Sequence, residues 1–271
     1  MEELLVYDRV SVSYNGKPVL RDITFSLRAG EILGIVGASG SGKSSVLRAA
    51  LGILGRDGAV TGGSIRYRGQ ELRGMKEKRL RGIRGRQIGM IFQDAEASLC
   101  PVRTIGDQIH ESLKAHEKIS RAEADKRAVE LFAKLGLPDG KRILDSYPFE
   151  LSGGMNQRVC IAMAMLPGPA VLLADEPSSA LDVISRKQVV EEMRSLREIY
   201  GTAVIVVTHN MGVVSAMADR VLVLHDGGTV EYGEAAQVLS QPRAEYTKEL
   251  LAAVPKLKRK QESRLREEKP V

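Results

Sequence analysis

The sequence of 271 residues contains few aromatic side chains and only two cysteines. Phe, Tyr and Trp together make up 4% of the residues, and Trp is absent. This composition argues against an aromatic-lined groove for sugars or single-stranded RNA. Cys100 and Cys160 are too few for a disulfide framework or a four-thiolate metal site. A reducing compartment is therefore expected.

Long apolar runs are also missing. The least polar stretch, 159–174, is divided by Pro-Gly-Pro into two short pieces. Neither piece reaches the roughly 20 apolar residues that are needed to cross a bilayer. The first residues are acidic, whereas a targeting segment would begin with basic residues and continue with apolar ones. We therefore expect a soluble chain without a targeting segment.

The net charge of +6 is unevenly distributed along the chain. Residues 256–271 carry seven basic and three acidic side chains, which leaves only +2 for the residues before them. A basic face for a nucleic-acid groove is therefore not indicated. We divide the chain into a domain over 1–253 and a charged tail over 254–271. The tail is interpreted as a solvated helix, with a membrane-surface or partner contact as the alternative.

The apolar pattern changes twice along the chain. Apolar and polar residues alternate over 6–12 and 22–28, which predicts strands. In the middle third, apolar residues recur at helical spacing, and Ser120 is placed to cap a helix. From 170 to 224, apolar runs of about five residues alternate with helical segments. This alternation indicates an α/β fold with a parallel sheet buried on both faces.

Residues 37–44 read Gly-Ala-Ser-Gly-Ser-Gly-Lys-Ser and fit the pattern G-x-x-x-x-G-K-[ST]. The motif follows an apolar strand and opens a helix, which is the context that a phosphate-binding P-loop requires. Its glycines let backbone N–H groups turn toward phosphates, while Lys43 reaches the β and γ oxygens and Ser44 can ligate Mg²⁺. The predicted triphosphate-binding residues are Gly37, Ser39, Gly40, Ser41, Gly42, Lys43, Ser44 and Ser45.

A second motif places Asp175 and Glu176 directly after the apolar strand 171–174. Ligands of open α/β sheets bind at the carboxyl ends of such strands. Asp175 is expected to hold Mg²⁺ through water, and Glu176 to polarise the water that attacks the γ-phosphate. A positioned base of this kind contributes about 10²–10⁴ in rate. The alternative, that these residues merely end a strand before Pro177, is weak beside a P-loop.

The segment 151–158, Leu-Ser-Gly-Gly-Met-Asn-Gln-Arg, distinguishes among the P-loop families. Ser152 can cap a helix, and Gly153 and Gly154 let the first amides of that helix approach a phosphate. The guanine-reading element Asn-Lys-x-Asp is absent from the sequence. With these motifs the chain resembles the ATP-binding-cassette (ABC) ATPases over roughly residues 4–254.

The resemblance implies a specific architecture. A P-loop NTPase domain of the ABC type has an N-terminal antiparallel β subdomain and an inserted helical subdomain, here at about 96–166. The family also forms a head-to-tail dimer. In that dimer Ser152, Gly153 and Gly154 of one subunit would face the γ-phosphate held by the P-loop of the other. ATP and Mg²⁺ are the implied cofactors.

Single residues match further family elements. Tyr14 looks like the aromatic residue that stacks on adenine, Gln93 like the glutamine that contacts Mg²⁺ and the attacking water, and His209 like the histidine that binds the γ-phosphate. The Ser-Ala-Leu-Asp sequence at 179–182 resembles the loop that crosses the dimer interface. The resemblance implies Glu176, His209 and Gln93 as catalytic residues and Ser44, Gln93 and Asp175 as metal ligands.

Segments 90–109, 147–155 and 241–255 are similar to the ATPases of oligopeptide, dipeptide and nickel importers. Met155 stands after the paired glycines, where Gln is usual. In this respect the chain resembles the first of two paralogous ATPases, so a heterodimer with a sister subunit is expected. Residues 95–97 and Cys100 differ from the family pattern where the permease contact is expected. Peptide importers often carry a Cys-rich C-terminal extension that this sequence lacks, which favours nickel or a metal chelate as cargo.

The sequence therefore predicts an ATP-hydrolysing subunit that drives import of nickel, a metal chelate or peptides. The expected partners are a sister ATPase, two membrane permease subunits and, indirectly, an extracytoplasmic binding protein. The expected location is the cytoplasmic face of the cell membrane.

One alternative is an ABC ATPase that acts on nucleic acid in repair or chromosome structure, but such proteins usually carry long coiled-coil or zinc insertions. A regulatory nucleotide-binding subunit without turnover is the other alternative.

Overall fold

The computed structural model describes residues 2–178 and 183–253. The predictions for the loop 179–182 and for the tail 254–271 lie outside these ranges. None of the helices within the ranges is both long enough and apolar enough to cross a membrane.

The described residues contain ten strands and eleven α-helices. The strands are β1 (Glu3–Tyr14), β2 (Lys17–Arg28), β3 (Ile32–Val36), β4 (Gly58–Tyr67), β5 (Gln70–Glu71), β6 (Ile88–Ile91), β7 (Val171–Asp175), β8 (Ala203–Thr208), β9 (Arg220–His225) and β10 (Gly228–Glu234). The helices are α1 (Lys43–Leu51), α2 (Glu77–Arg81), α3 (Ala95–Ser98), α4 (Ile105–Lys114), α5 (Arg121–Lys134), α6 (Gly140–Asp145), α7 (Gly153–Met165), α8 (Val183–Tyr200), α9 (Met211–Met217), α10 (Ala235–Ser240) and α11 (Glu245–Ala252).

An antiparallel sheet of four strands, in the order β2-β1-β4-β5, forms the N-terminal part of the fold. The predicted strands at 6–12 and 22–28 are confirmed; β1 extends further at both ends, and β2 begins earlier, at Lys17. Strand β4 begins at Gly58, because the Gly-rich segment 58–63 pairs with β1. Gly63, at φ 75, passes so close to β1 that a Cβ atom would lie 2.2 Å from the Arg9 carbonyl oxygen.

The central sheet has six strands in the order β10-β9-β3-β8-β7-β6. Five of them are parallel, which confirms the parallel sheet predicted from the alternation over 170–224, and β10, which follows that range, pairs antiparallel with β9. Strands β3, β7 and β8 are buried along their whole length, as the continuous apolar runs predicted. Because parallel strands share one direction, the loops that follow β3, β6, β7 and β8 meet at one edge.

Between β6 and β7 the chain forms the helices α3 to α7, which share a core around Ile109, Phe132 and Val159. The predicted cap of α5 is confirmed, since the Ser120 hydroxyl accepts a hydrogen bond from the backbone N–H of Glu123 at 3.2 Å. The inserted helical subdomain of the predicted fold is thus present. Its boundaries at about 96 and 166 stay a prediction.

Candidate active site

The P-loop joins β3 to α1 through glycines that no other residue could replace without strain. Gly42 precedes α1 in a left-handed conformation with φ 96, and a Cβ atom there would lie 2.5 Å from a methyl carbon of Leu20. A Cβ atom at Gly37 would lie 2.2 Å from the carbonyl oxygen of Leu224. Strand β2 of the antiparallel sheet and strand β9 therefore pack so closely against the loop that they leave no room for a side chain at Gly42 or Gly37.

Lys43 begins α1 and is only 7% exposed. Its ammonium group donates hydrogen bonds to the carbonyl oxygens of Gly37 and Ala38, both at 2.9 Å. Burial lowers the pKa of Lys43, and the nearby carboxylates of Glu176 and Asp175 partly offset that effect. The Lys43 ammonium is therefore bonded only to neutral carbonyl oxygens in the described structure. Phosphate oxygens can replace these carbonyls as acceptors and form stronger, charge-assisted hydrogen bonds.

Ser44 and Asp175 form the polar floor of the site. The Ser44 hydroxyl donates to Asp175 Oδ1 at 2.8 Å, and the Asp175 carboxylate is buried at the end of β7. Burial raises the pKa of Asp175, and the bond from Ser44 works against this effect. Asp175 Oδ2 has no hydrogen-bond partner among the residues that the structure describes. An unpartnered carboxylate oxygen beside a hydroxyl is a donor set that suits a hard cation such as Mg²⁺.

Glu176 follows β7, His209 follows the neighbouring strand β8, and their side chains are in contact. Glu176 follows β7 with a φ of 49, and its backbone N–H donates to the Val207 carbonyl at 2.9 Å. The Glu176 carboxylate accepts from the backbone N–H of His209 at 3.1 Å and lies 2.9 Å from the Nδ1 atom of that histidine. Glu176 is 8% exposed, whereas the His209 side chain is 63% exposed. The carboxylate is therefore fixed, and the imidazole extends into the cavity.

These groups surround one cavity of about 580 Å³. Its lining residues are Val19, Ser39, Gly40, Gly42, Lys43, Ser44, Ser45, Gln93, Glu176 and His209. Nine of the ten are residues that the sequence predicted for ATP or for catalysis. Val19 was missed because it is an ordinary apolar residue of β2, and it reaches the cavity only through the packing of the antiparallel sheet on the P-loop.

Four further predicted residues of the P-loop and its neighbourhood do not line the cavity. Three of them, Gly37, Ser41 and Asp175, are buried. Tyr14 is half-buried against the main core, and its hydroxyl contacts the cavity-lining Ser45 at 3.4 Å.

The segment 152–154 lies outside the cavity. Ser152 and Gly153 are exposed at the start of α7. The Ser152 hydroxyl accepts from the backbone N–H of Met155 at 3.3 Å, so its predicted capping role is confirmed. Its predicted contact with a nucleotide stays a prediction.

The model of the family described as "ABC transporter" matches residues 20–179, a range that includes the P-loop and the acidic strand. The chain belongs to the ABC transporter family of ATP-binding proteins. The ABC chain is 44% identical over 238 residues to the oligopeptide transport ATP-binding protein OppD of Salmonella typhimurium, over 88% of this chain and 71% of the relative. It is 43% identical over 255 residues to OppD of Bacillus subtilis, over 93% of this chain and 71% of the relative.

Solved structures agree with the predicted ABC fold. The dimeric ATP-binding cassette MJ0796, bound to ADP and phosphate after hydrolysis, superposes with a TM-score of 0.75 at 28% identity, covering 86% of this chain and 99% of that one. CbiO1 of Clostridium perfringens, part of an ABC transporter complex, superposes with a TM-score of 0.76 at 24% identity, covering 89% and 92%. This second likeness shows the fold alone.

Proposed function

We propose that this ABC protein is the ATP-hydrolysing subunit of a transporter that imports peptides. The observation that carries the proposal is one cavity that gathers the Lys43 ammonium, the Ser44–Asp175 pair and the Glu176–His209 pair. A phosphate binder, an oxygen-rich cation site and a fixed carboxylate are the groups that hydrolysis of a triphosphate requires.

In the proposed reaction, the phosphates of ATP lie along the P-loop amides. Lys43 moves from the carbonyls of Gly37 and Ala38 to the β and γ oxygens. Glu176 accepts a proton from the attacking water, whose oxygen bonds to the γ-phosphorus while the bond to the ADP oxygen breaks. The imidazole of His209 donates to the γ-phosphate, and the backbone N–H of His209 orients Glu176 through the hydrogen bond already present.

Ser44, Asp175 and Gln93 are the residues that would hold Mg²⁺. The unpartnered Oδ2 atom of Asp175 supports this assignment, as does the position of Gln93 in the wall of the same cavity. Mg²⁺, when bound, supplies positive charge that neutralises the β- and γ-phosphate oxygens.

The proposed site is completed by a second ATPase subunit. The exposed position of Ser152 and Gly153, outside the cavity of their own chain, supports a head-to-tail dimer. The dimeric MJ0796 cassette supports it as well. The proposed partner is a sister ATPase, and the pair would bind two permease subunits at the cytoplasmic face of the membrane, supplied by an extracytoplasmic binding protein.

The relatives support peptides as the cargo. Two of them are named oligopeptide transport ATP-binding proteins, and several from Brucella are named putative peptide import ATP-binding proteins. These names favour peptides over the nickel or metal-chelate cargo to which the sequence inclined. They give no support to the nucleic-acid alternative.

Phosphate release by the assembled transporter tests the ATPase assignment. Glu176→Gln removes the base and is expected to lower release by about 10²–10⁴-fold. Glu31→Gln is a matched control, because Glu31 is equally buried but bonds to Arg28 and Arg220 away from the cavity. Turnover of Glu176→Gln equal to that of the control would overturn the assigned base.

Uptake by cells that lack the gene and carry a plasmid copy tests the cargo. Uptake of a labelled oligopeptide is expected with the wild-type copy and not with Glu176→Gln. Uptake of radioactive Ni²⁺ is expected to be the same with either copy. Nickel uptake that depended on Glu176 would overturn the peptide assignment.

A further inference from the structure

The C-terminal helix α11 contacts the P-loop, which lies more than 200 positions earlier in the chain. The hydroxyl oxygen of Tyr246, in the first turn of α11, accepts a hydrogen bond from the backbone N–H of Ala38 at 3.0 Å. The Gly37 carbonyl of the same peptide unit accepts from the Lys43 ammonium at 2.9 Å. Because the C=O and N–H of a trans peptide point in opposite directions, the unit is held from both sides.

Several contacts fix Tyr246 in place. Its ring lies against His225, with centroids 4.0 Å apart and an angle of 35° between the planes, and it packs on the apolar cluster that contains Val36. The Glu231 carboxylate of β10 accepts from the backbone N–H groups of Arg243 and Ala244, at 3.0 and 3.2 Å, just before α11 begins. Glu231 therefore fixes the two residues through which the chain enters α11, a helix with no side-chain cap of its own.

The hydrogen bond between Ala38 and Tyr246 lies at the boundary between the buried start of the P-loop and the part that lines the cavity. The cavity wall includes Ser39, Gly40 and residues 42–45 of the loop, but neither Gly37 nor Ala38. The Ala38 N–H points to Tyr246, so it is not among the amides that face the phosphates. In the proposed reaction Lys43 leaves the Gly37 and Ala38 carbonyls when ATP binds, and Tyr246 then remains as the side chain that holds this peptide unit.

We propose that Tyr246 is a positioning residue for ATP binding, which anchors the first peptide unit of the P-loop while Lys43 transfers to the nucleotide. This inference rests on the proposed role of the P-loop in holding the phosphates of ATP. A preorganised loop binds its ligand more tightly because less ordering occurs on binding.

The Tyr246→Phe variant isolates the hydroxyl, since the ring can stay against His225. The hydrogen bond is neutral and partly exposed, so its loss is expected to raise the Kd for Mg·ATP by about threefold to tenfold. The kcat of the assembled transporter is expected to stay close to the wild-type value, because Tyr246 touches none of the cavity-lining residues that perform hydrolysis. Glu231→Gln, which weakens the hydrogen bonds to the residues just before α11, is expected to raise the Kd for Mg·ATP by a smaller factor.

Tyr232→Phe is the matched control. Tyr232 is half-buried like Tyr246, and its hydroxyl also bonds to the backbone, to the N–H and carbonyl of Ser26, both at 3.1 Å. Those bonds join β10 to β2 and not to the P-loop. The control is expected to lower the melting temperature and to leave the Kd for Mg·ATP unchanged.

Calorimetric titration of Mg·ATP into the full-length chain measures all four proteins. A raised Kd in Tyr246→Phe with a wild-type Kd in Tyr232→Phe supports the inference. An unchanged Kd in Tyr246→Phe, or an equal rise in both variants, overturns it. A wild-type chain that does not bind ATP would contradict the proposed function and this inference together.

Discussion

The P-loop and the signature segment (Ser152, Gly153 and Gly154) each present backbone amides at the start of a helix, but their surroundings differ. Side chains from α1 and α11 bond to the P-loop, and β9 packs against it. The signature segment is largely exposed, and Ser152 bonds only to the first turn of its own helix in the described structure. The difference supports the proposal that the P-loop binds the nucleotide with residues of its own chain, whereas the signature segment acts on the nucleotide of a partner.

The strongest way to break this comparison is to add a negative charge to the signature segment. Gly153→Asp places a carboxylate where the γ-phosphate of the partner's nucleotide is expected, and Gly153→Asn is its neutral control. A Cβ atom at Gly153 meets only the end of the Glu96 side chain, at 3.8 Å, so both variants fit. We expect phosphate release by the assembled transporter to fall at least about 10²-fold further with Asp than with Asn.

The same pair of variants excludes loss of folding as the explanation. The helix dipole favours an acidic residue in the first turn, whereas the Glu96 carboxylate oxygen, 3.8 Å from a Cβ atom at Gly153, opposes it. The melting temperatures of the two variants should therefore be similar. ATP binding by the isolated chain should be the same in both. Equal phosphate release by the two variants would contradict the proposed role of the segment.

Lys43→Met tests the other side of the comparison. Loss of a charge-assisted bond to the phosphates is expected to raise the Kd for ATP of the isolated chain by about 10- to 100-fold. Because burial already lowers the pKa of Lys43, a neutral apolar side chain should not reduce stability. Lys141→Met, at an exposed position of α6, is the control. ATP binding to Lys43→Met at the wild-type affinity would show that the P-loop is not the phosphate site.

Asp175→Asn tests whether the carboxylate of Asp175 binds Mg²⁺. The amide keeps the size of the carboxylate but loses its charge, so the Mg²⁺ concentration for half-maximal phosphate release should rise by about 10- to 100-fold. Binding of ATP measured without Mg²⁺ should change little. An unchanged Mg²⁺ requirement would remove Asp175 from the proposed metal ligands.

The smallest expected effect is a change in the pH dependence of stability. It concerns the ion pair that joins α7, the helix that begins with the signature segment, to α8. Arg158 Nε lies 2.7 Å from Glu192 Oε1 of α8, and both side chains are mostly buried. Burial raises the pKa of Glu192 to about 7, against the opposing charge of Arg158. Because the folded state binds this proton more tightly than the unfolded chain, the free energy of unfolding should fall as pH rises from about 4.5 to 7.

Glu192→Gln should flatten that pH dependence. We expect the drop in melting temperature between pH 5 and pH 8 to be smaller in the variant by about 2 to 6 °C. Glu198→Gln, at an exposed position of the same helix, is the control. Equal drops in wild type and Glu192→Gln would show that this carboxyl does not titrate in the range given.

The parts that the sequence predicted are those that local patterns encode. The P-loop, the acidic strand end and the cap at Ser152 each occupy a few consecutive residues, and the structure has them where they were expected. Gln93 and His209 were placed through the family resemblance, and both line the cavity.

The parts that the sequence did not reveal depend on contacts between distant segments. Val19 and Tyr246 reach the P-loop only after β2 and α11 have packed on it, and neither belongs to a motif that marks a phosphate site. The antiparallel strand β10 was also missed, because it is mostly half-exposed and has no continuous apolar run.

The distance from Ser152 Oγ to the nearest γ-phosphate oxygen tests the central claim most directly. It can be measured in a crystal structure of the Glu176→Gln ATPase pair with a non-hydrolysable ATP analogue and Mg²⁺. We predict a hydrogen-bond distance of about 2.5–3.0 Å, to a nucleotide held by the P-loop of the other subunit. Ser152 far from every bound nucleotide in all assemblies of the crystal would contradict the account.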